Sequence, residues 1–299
     1  ILCMPVNQFV QLLSISMSLK VLKKHHCHGG VMTYYSHTSQ SVNGEMMFSV
    51  YQPPQLKKGK RLPALTYLAG LTCTQETFMI KGGAQQFAAK YGIILIAPDT
   101  SPRGAGIAGE EDSWDFGTGA GFYIDACKEE WAKNYRMESY VTSELQAIMK
   151  KSLNVDLSRQ GIFGHSMGGH GALTLGLKYP KIYQSISAFS PICSPTDCPW
   201  GKKAFSGYLG NDTEVWKRHD AVKLIQNVDK SQHNLILVDQ GLDDEFLDEQ
   251  LKPDHLEQVC KDVGFPLKLR YHKGYDHSYY FISTFMADHL AHHAGIICS

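Results

Sequence analysis

The densest concentration of chemistry-bearing residues is Gly164-His165-Ser166-Met167-Gly168, which follows the apolar run Ile162-Phe163 and opens a helix-like segment near Gly169. A Gly-x-Ser-x-Gly turn between strand and helix lifts a serine hydroxyl above a sheet, and glycines two positions either side let the backbone fold that tightly. Negative charge developing on an attacked carbonyl would there meet the unsatisfied N–H groups of a helix start. The plainer alternative is a glycine turn carrying an inert serine; the strand before it and the helix after it weigh against that.

A serine hydroxyl needs a base to take its proton and an acid to hold the base. With this elbow the acid and then the histidine follow in chain order, on loops after later strands. After the apolar run Leu235 to Val238 comes Asp239-Gln240-Gly241-Leu242-Asp243-Asp244-Glu245, and after Leu267 to Tyr271 comes His272-Lys273-Gly274-Tyr275-Asp276-His277. Asp239 sits at its strand end, as a turn cap would. Asp243 is far enough into its loop to reach over the sheet edge. Asp244 is its immediate rival, since adjacent loop side chains point apart and only one should face the imidazole. His277 lies beyond Gly274, whereas His272 is nearer its strand and has the place of a surface residue. The spacing favours Asp243 and His277 without closing the choice.

Two N–H donors are needed for the oxyanion: Met167, directly after the serine, and Leu71, where Gly70 permits close backbone approach. Cys73 lacks an elbow of its own and reads as a thiol lining the pocket. Most of the fourteen histidines, including His25-His26 and His292-His293, read as solvent-facing, and none forms a zinc-ligand pattern with a third partner. Neither metal nor cofactor is expected.

These loops need a scaffold with strand ends aligned. Val31 to Tyr35 and Met46 to Val50, joined through Ser41-Val42-Asn43-Gly44, predict an antiparallel hairpin. Short apolar runs then alternate with helical stretches. Strands are expected at Pro63 to Ala69, Ile93 to Ala97, Gln160 to Gly164, Ser185 to Phe189, Asn234 to Asp239 and Leu267 to Tyr271, and helices at Ala84 to Lys90, Tyr140 to Lys151, Gly169 to Lys178 and Pro253 to Val263. That alternation implies a mostly parallel sheet with helices on both faces, an α/β-hydrolase fold with the hairpin extending one edge. No linker divides it, so one domain is expected over residues 23–299. Residues 1–22 read as a leader outside the core: the chain begins at Ile1, Phe9 to Leu22 is mildly apolar, and Met17 is a plausible start. A signal peptide would carry its charges before the apolar stretch, the reverse of the order here.

With 29 basic and 29 acidic residues the 299-residue chain is formally neutral, which argues against binding nucleic acid or acidic membrane surfaces. No apolar run approaches the roughly 20 residues that span a bilayer. Eight cysteines without a CxxC pair suit reduced thiols and a cytoplasmic location.

Longer runs carry a resemblance. Ala69-Gly70-Leu71-Thr72-Cys73-Thr74, Ile96 to Gly104 (IAPDTSPRG), Ser113 to Tyr123 (SWDFGTGAGFY), Phe163 to Leu173 (FGHSMGGHGAL), Cys198 to Phe205 (CPWGKKAF) and Gly274 to Phe281 (GYDHSYYF) together resemble the S-formylglutathione hydrolase, or esterase D, family. The match runs from about Lys24 to the C-terminus. The resemblance implies a cytosolic serine thioesterase, commonly a homodimer, that hydrolyses S-formylglutathione to glutathione and formate. It assigns Ser166 as nucleophile, Asp243 as acid and His277 as base, and departs at Leu242, where the family more often has lysine or another polar residue. A small acyl pocket and a separate groove for the peptide are then expected, with Trp114, Trp200, Arg103, Lys202 and Lys203 as candidates. A broad short-chain carboxylesterase would use the same machinery. A noncatalytic binding protein of this fold would lack a member of the serine, acid and histidine set, and none is missing.

Overall fold

The computed structural model describes residues 18–299. Nine strands form one sheet in the order β1-β2-β3-β5-β4-β6-β7-β8-β9. Its antiparallel end is β1 (Lys20–Cys27), β2 (Gly30–Ser39) and β3 (Gly44–Gln52), which joins β5 (Ile94–Pro98). From β5 onward all pairing is parallel: β4 (Leu62–Leu68), β6 (Val155–His165), β7 (Ser185–Phe189), β8 (Ile236–Gly241) and β9 (Leu267–His272). The hairpin and the parallel series are as expected, and the strand Ser185–Phe189 and the helix Pro253–Val263 match to the residue. The N-terminal boundary needs correction. β1 begins at Lys20 and pairs with β2, so residues 20–22 belong to the sheet and not to a leader. Residues 1–17 of that leader, Met17 included, lie outside the described residues, and Leu19 packs against the core beside β3 and β4.

The central strands are buried on both faces, and period-two alternation divides their side chains between two helical layers. Within β6, Ile162 packs with the helix Met167–Lys178, while Phe163 packs with the C-terminal helix Tyr279–Ile297. Ala188 and Phe189 in β7 divide the same way. The helix after β6 is buried from Met167 through Leu177, made possible by its small residues Gly168, Gly169, Gly171, Ala172 and Gly176.

His292-His293 does not face solvent as expected. Helical spacing puts His293 on the inward face with His289 and Leu290, fully buried, and His292 bonds the Ile186 carbonyl at 3.2 Å. Inside, a polar chain crosses from β8 to β7. Arg270 donates from Nε and Nη2 to buried Asp239 at 2.6 and 2.5 Å, and His289 Nε2 lies 3.1 Å from the same carboxylate. His289 Nδ1 contacts Ser187 Oγ at 2.8 Å, Ser187 Oγ contacts His293 Nε2 at 2.7 Å, and His293 Nδ1 contacts Ser185 Oγ at 2.7 Å. An ionised carboxylate only accepts, so His289 donates to Asp239 and accepts from Ser187; Ser187 accepts from His293, which accepts from Ser185. Burial alone would raise the Asp239 carboxyl, but hydrogen bonds from His289 and Arg270 outweigh it and hold it well below the usual carboxylate range.

Burial keeps His293 neutral and, with the nearby His292 and His289, drives it far below its ordinary value near 6.5; buried His170, whose Nε2 donates to the Phe122 carbonyl at 3.1 Å, is brought down to about 3. Folded values below unfolded ones mean that this stability is fully present above about pH 6.5. It declines as pH falls toward the folded values, by up to about 1.4 kcal/mol per pH unit for each histidine. The thermal midpoint should therefore drop by at least about 5 °C between pH 7.5 and pH 5.5, measured by calorimetry; a midpoint unchanged over that range would contradict neutral burial.

Candidate active site

Three strand ends deliver the chemistry. Ser166 sits between β6 and the helix Met167–Lys178 at φ 58° and ψ −121°, a conformation that L-residues rarely adopt and that costs on the order of 1–3 kcal/mol. The turn is locked from both directions: Ser166 N–H donates to Phe189 O at 3.1 Å, and its carbonyl accepts from His170 at 2.9 Å and Ile192 at 3.2 Å. The glycines are required by close approach. A Cβ on Gly168 would lie 2.0 Å from the Leu68 carbonyl oxygen of β4, and one on Gly164 would lie 2.2 Å from the Gly168 carbonyl oxygen.

His277 follows β9, and its Nδ1 meets Asp244 Oδ2 at 2.6 Å. The carboxylate that meets the imidazole is therefore Asp244 and not the expected Asp243. β8 runs to Gly241, two residues beyond the expected end, and its pairing with the β9 side continues through Leu242 N–H to His272 O and Asp243 N–H to Tyr275 O. Beyond Gly241 the chain leaves the strand in a turn with Leu242 and Asp243 both exposed; the Asp243 carboxylate accepts from the Gly274 N–H at 3.3 Å, and the residue after that turn, Asp244, is buried. Asp244 has a fully buried side chain, and its second oxygen accepts from the Phe246 N–H at 2.9 Å. The other contenders belong elsewhere. Asp239 is the hub of the buried chain, and His272 stacks on Phe285 and approaches Asp239 at 3.1 Å.

Ser166 and His277 line one cavity of about 250 Å³. Leu71, Cys73, Trp114 and Trp200 also line it. Leu71 occupies the second position of the turn closed by Cys73 N–H to Gly70 O at 3.3 Å, which leaves its own N–H outside that turn's bond. Met167 is the first residue of its helix, where no intrahelical acceptor precedes the N–H. Three candidate pocket residues, Arg103, Lys202 and Lys203, are absent from the lining. Arg103 is claimed by the nearly buried Asp99, donating at 2.8 and 2.9 Å, and by the Cys73 carbonyl at 3.1 Å. Lys202 is exposed because the helix Pro199–Tyr208 turns Trp200 inward, and residues two apart on a helix face different ways; Lys203 bonds Asp115 and Ser113.

The chain is similar throughout to known proteins. The Esterase family model matches residues 39–292. The S-formylglutathione hydrolase of Mus musculus is 54% identical over 279 residues, covering 93% of this chain and 98% of that protein, and that of Paracoccus denitrificans is 46% identical over 94% and 99%. The chain belongs to the S-formylglutathione hydrolase family of esterases. A solved S-formylglutathione hydrolase from Agrobacterium tumefaciens superposes with a TM-score of 0.89 at 44% identity, covering 93% of this chain and 99% of that one. A ferulic acid esterase at 20% identity and a TM-score of 0.69 shares the fold.

Within this family member the cavity has a continuous aromatic wall. Trp114 meets Trp200 edge-on at 5.7 Å, Trp200 meets Phe246 at 4.7 Å, Phe246 meets His277 at 5.0 Å, His277 meets His165 at 4.3 Å, and His165 meets Tyr279 at 6.1 Å. Of these, Phe246, Tyr279 and His165 escaped the sequence reading, as did Thr77 and Lys81. The available signals were short: Phe246 follows the acid by two residues, and Thr77–Lys81 is a one-turn helix just after the Gly-Leu-Thr-Cys loop. Burial, followed by the neighbouring His277, holds His165 neutral. Burial also pushes the Cys73 thiol up, so it stays protonated despite the hydrogen bond with Thr77 and the nearby Lys81 charge.

The tight Gly168 contact with β4 makes a test of the turn. Gly168→Ala should destabilise the protein by at least about 3 kcal/mol, because backbone on both sides must move; denaturant unfolding of the variant reads this directly, and a loss below about 1 kcal/mol would contradict the packing described.

Proposed function

We propose that this hydrolase cleaves S-formylglutathione to glutathione and formate through a Ser166-His277-Asp244 triad, as the last step of a formaldehyde-detoxifying sequence. The observation carrying this reading is the Asp244–His277 pair, held at 2.6 Å, beside the cavity that the strained Ser166 also lines. The family supplies the substrate: relatives named S-formylglutathione hydrolase cover nearly the whole chain at 46–54% identity. A cavity of about 250 Å³ suits a formyl group in its interior, with the peptide running to a mouth where Trp114 is 56% exposed.

His277 Nε2 takes the Ser166 proton as Oγ attacks the formyl carbon, and Asp244 holds Nδ1–H and stabilises the imidazolium. The oxyanion receives the Leu71 and Met167 N–H groups. The C–S bond breaks, the sulfur leaves with the proton from His277, and a formyl ester on Ser166 remains. Water attacks that ester, gives one proton to His277, and the C–Oγ bond breaks with return of that proton to Ser166, releasing formic acid, which ionises to formate in water. A cytoplasmic homodimer belongs to the same reading. The free Cys27, Cys73, Cys127 and Cys298 support a reducing compartment.

Turnover of S-formylglutathione, S-acetylglutathione and a short nitrophenyl ester by purified protein tests the substrate: S-formylglutathione should have the highest kcat/KM, and an aryl ester outpacing it would instead favour a general short-chain carboxylesterase. Ser166→Ala and Asp244→Asn should each lower kcat by about 10³-fold or more. Asp243→Asn should stay within about threefold of wild type; the opposite ranking of the two aspartates would restore Asp243 as the acid.

A further inference from the structure

A neutral chain that handles a tripeptide thioester with two carboxylates needs a local cation, and the three basic residues singled out in the sequence, Arg103, Lys202 and Lys203, lie outside the cavity. Lys81 lies on it. It ends the short helix Thr77–Lys81, its side chain is exposed, and its Nζ stands 5.9 Å from the Tyr279 ring centroid. Tyr279 is the ring that ends the aromatic wall beyond His165 and His277, so the ammonium stands at the far end of that wall from Trp114. No Asp or Glu lines the cavity, and among the described residues no carboxylate forms an ion pair with Lys81.

We propose that Lys81 is a specificity-determining residue that recognises a carboxylate on the leaving thiol, making the preferred substrates thioesters of anionic thiols. This rests on the reading of the chain as a glutathione thioesterase and adds which residue senses the thiol's charge. An ammonium is a point charge on a flexible stem, suited to a carboxylate whose position varies as the peptide settles. Its neighbours leave it available: an aromatic ring touches it on one side and solvent on the other. The contact does not change as the C–S bond breaks, so it acts on binding and not on the chemical step.

The test compares wild type, Lys81→Met and Lys81→Arg on three substrates: S-formylglutathione, its dimethyl ester, which keeps the shape and removes both carboxylates, and p-nitrophenyl acetate. Lys81→Met should raise KM for S-formylglutathione about tenfold with kcat within twofold, and should narrow the wild-type preference for S-formylglutathione over the dimethyl ester by the same factor. Lys81→Arg should restore most of the loss. Added salt should raise KM for the wild type more than for Lys81→Met. An unchanged KM in Lys81→Met, or an equal loss on all three substrates, overturns the assignment, the latter because it marks a residue that shapes the cavity. If wild type hydrolyses p-nitrophenyl acetate but neither glutathione thioester, the substrate reading itself fails and takes this assignment with it.

Discussion

The constraint on which the site depends is the contact between Gly168 and the β4 carbonyl of Leu68. Nothing larger than hydrogen fits between the start of the helix after β6 and the central strand, and that closeness forces Ser166 into a backbone conformation that no serine would choose alone. Three backbone hydrogen bonds to and from Ser166 hold it there, and they come from β7, from the helix, and from the loop after β7. The strain is therefore opposed by packing across the middle of the sheet, where every residue of β4 is buried. A rigid serine position is useful only if the histidine is equally fixed, and the other strands meet that need.

β8 and β9 act as a pair. Their parallel register from Ile236 with Leu267 to Gly241 with His272 fixes both loops relative to each other before either leaves the sheet. The Arg270 to Asp239 bonds join the same two strands from the side-chain level, and Arg270 also reaches Asp288 on the C-terminal helix. The acid and the histidine thus start from one stiffened edge. Phe246 then closes against both His277 and Trp200, so the imidazole is bounded by an aromatic face as well as by a carboxylate.

Much of this was legible in the sequence where a local rule was sufficient. Ser185–Phe189 and Pro253–Val263 were read to the residue because the first is a short buried run and the second has proline at its start and glycine after its end. The elbow was legible because it needs glycines at fixed spacing. β1 was not, since Lys-Val-Leu-Lys-Lys-His-His-Cys has no apolar alternation and is held as an edge strand by pairing alone. The choice between Asp243 and Asp244 was not legible because both follow the strand, and which of them returns to the imidazole is set by how the turn at Leu242-Asp243 pairs with the loop after β9. Lys81 and Phe246 were hidden for a different reason: each reaches the cavity through tertiary packing that no short pattern encodes.

The one-way chain from Ser185 through His293, Ser187 and His289 to Asp239 has a further property. A protonated imidazole has two donors and no acceptor. Charging His293 would leave the Ser185 hydroxyl hydrogen without its recipient, and charging His289 would do the same to Ser187. An acid pH therefore imposes a conflict of hydrogen-bond polarity as well as the desolvation of a cation. The seam between the C-terminal helix and the sheet carries a fixed direction, set at one end by a single carboxylate that can only receive.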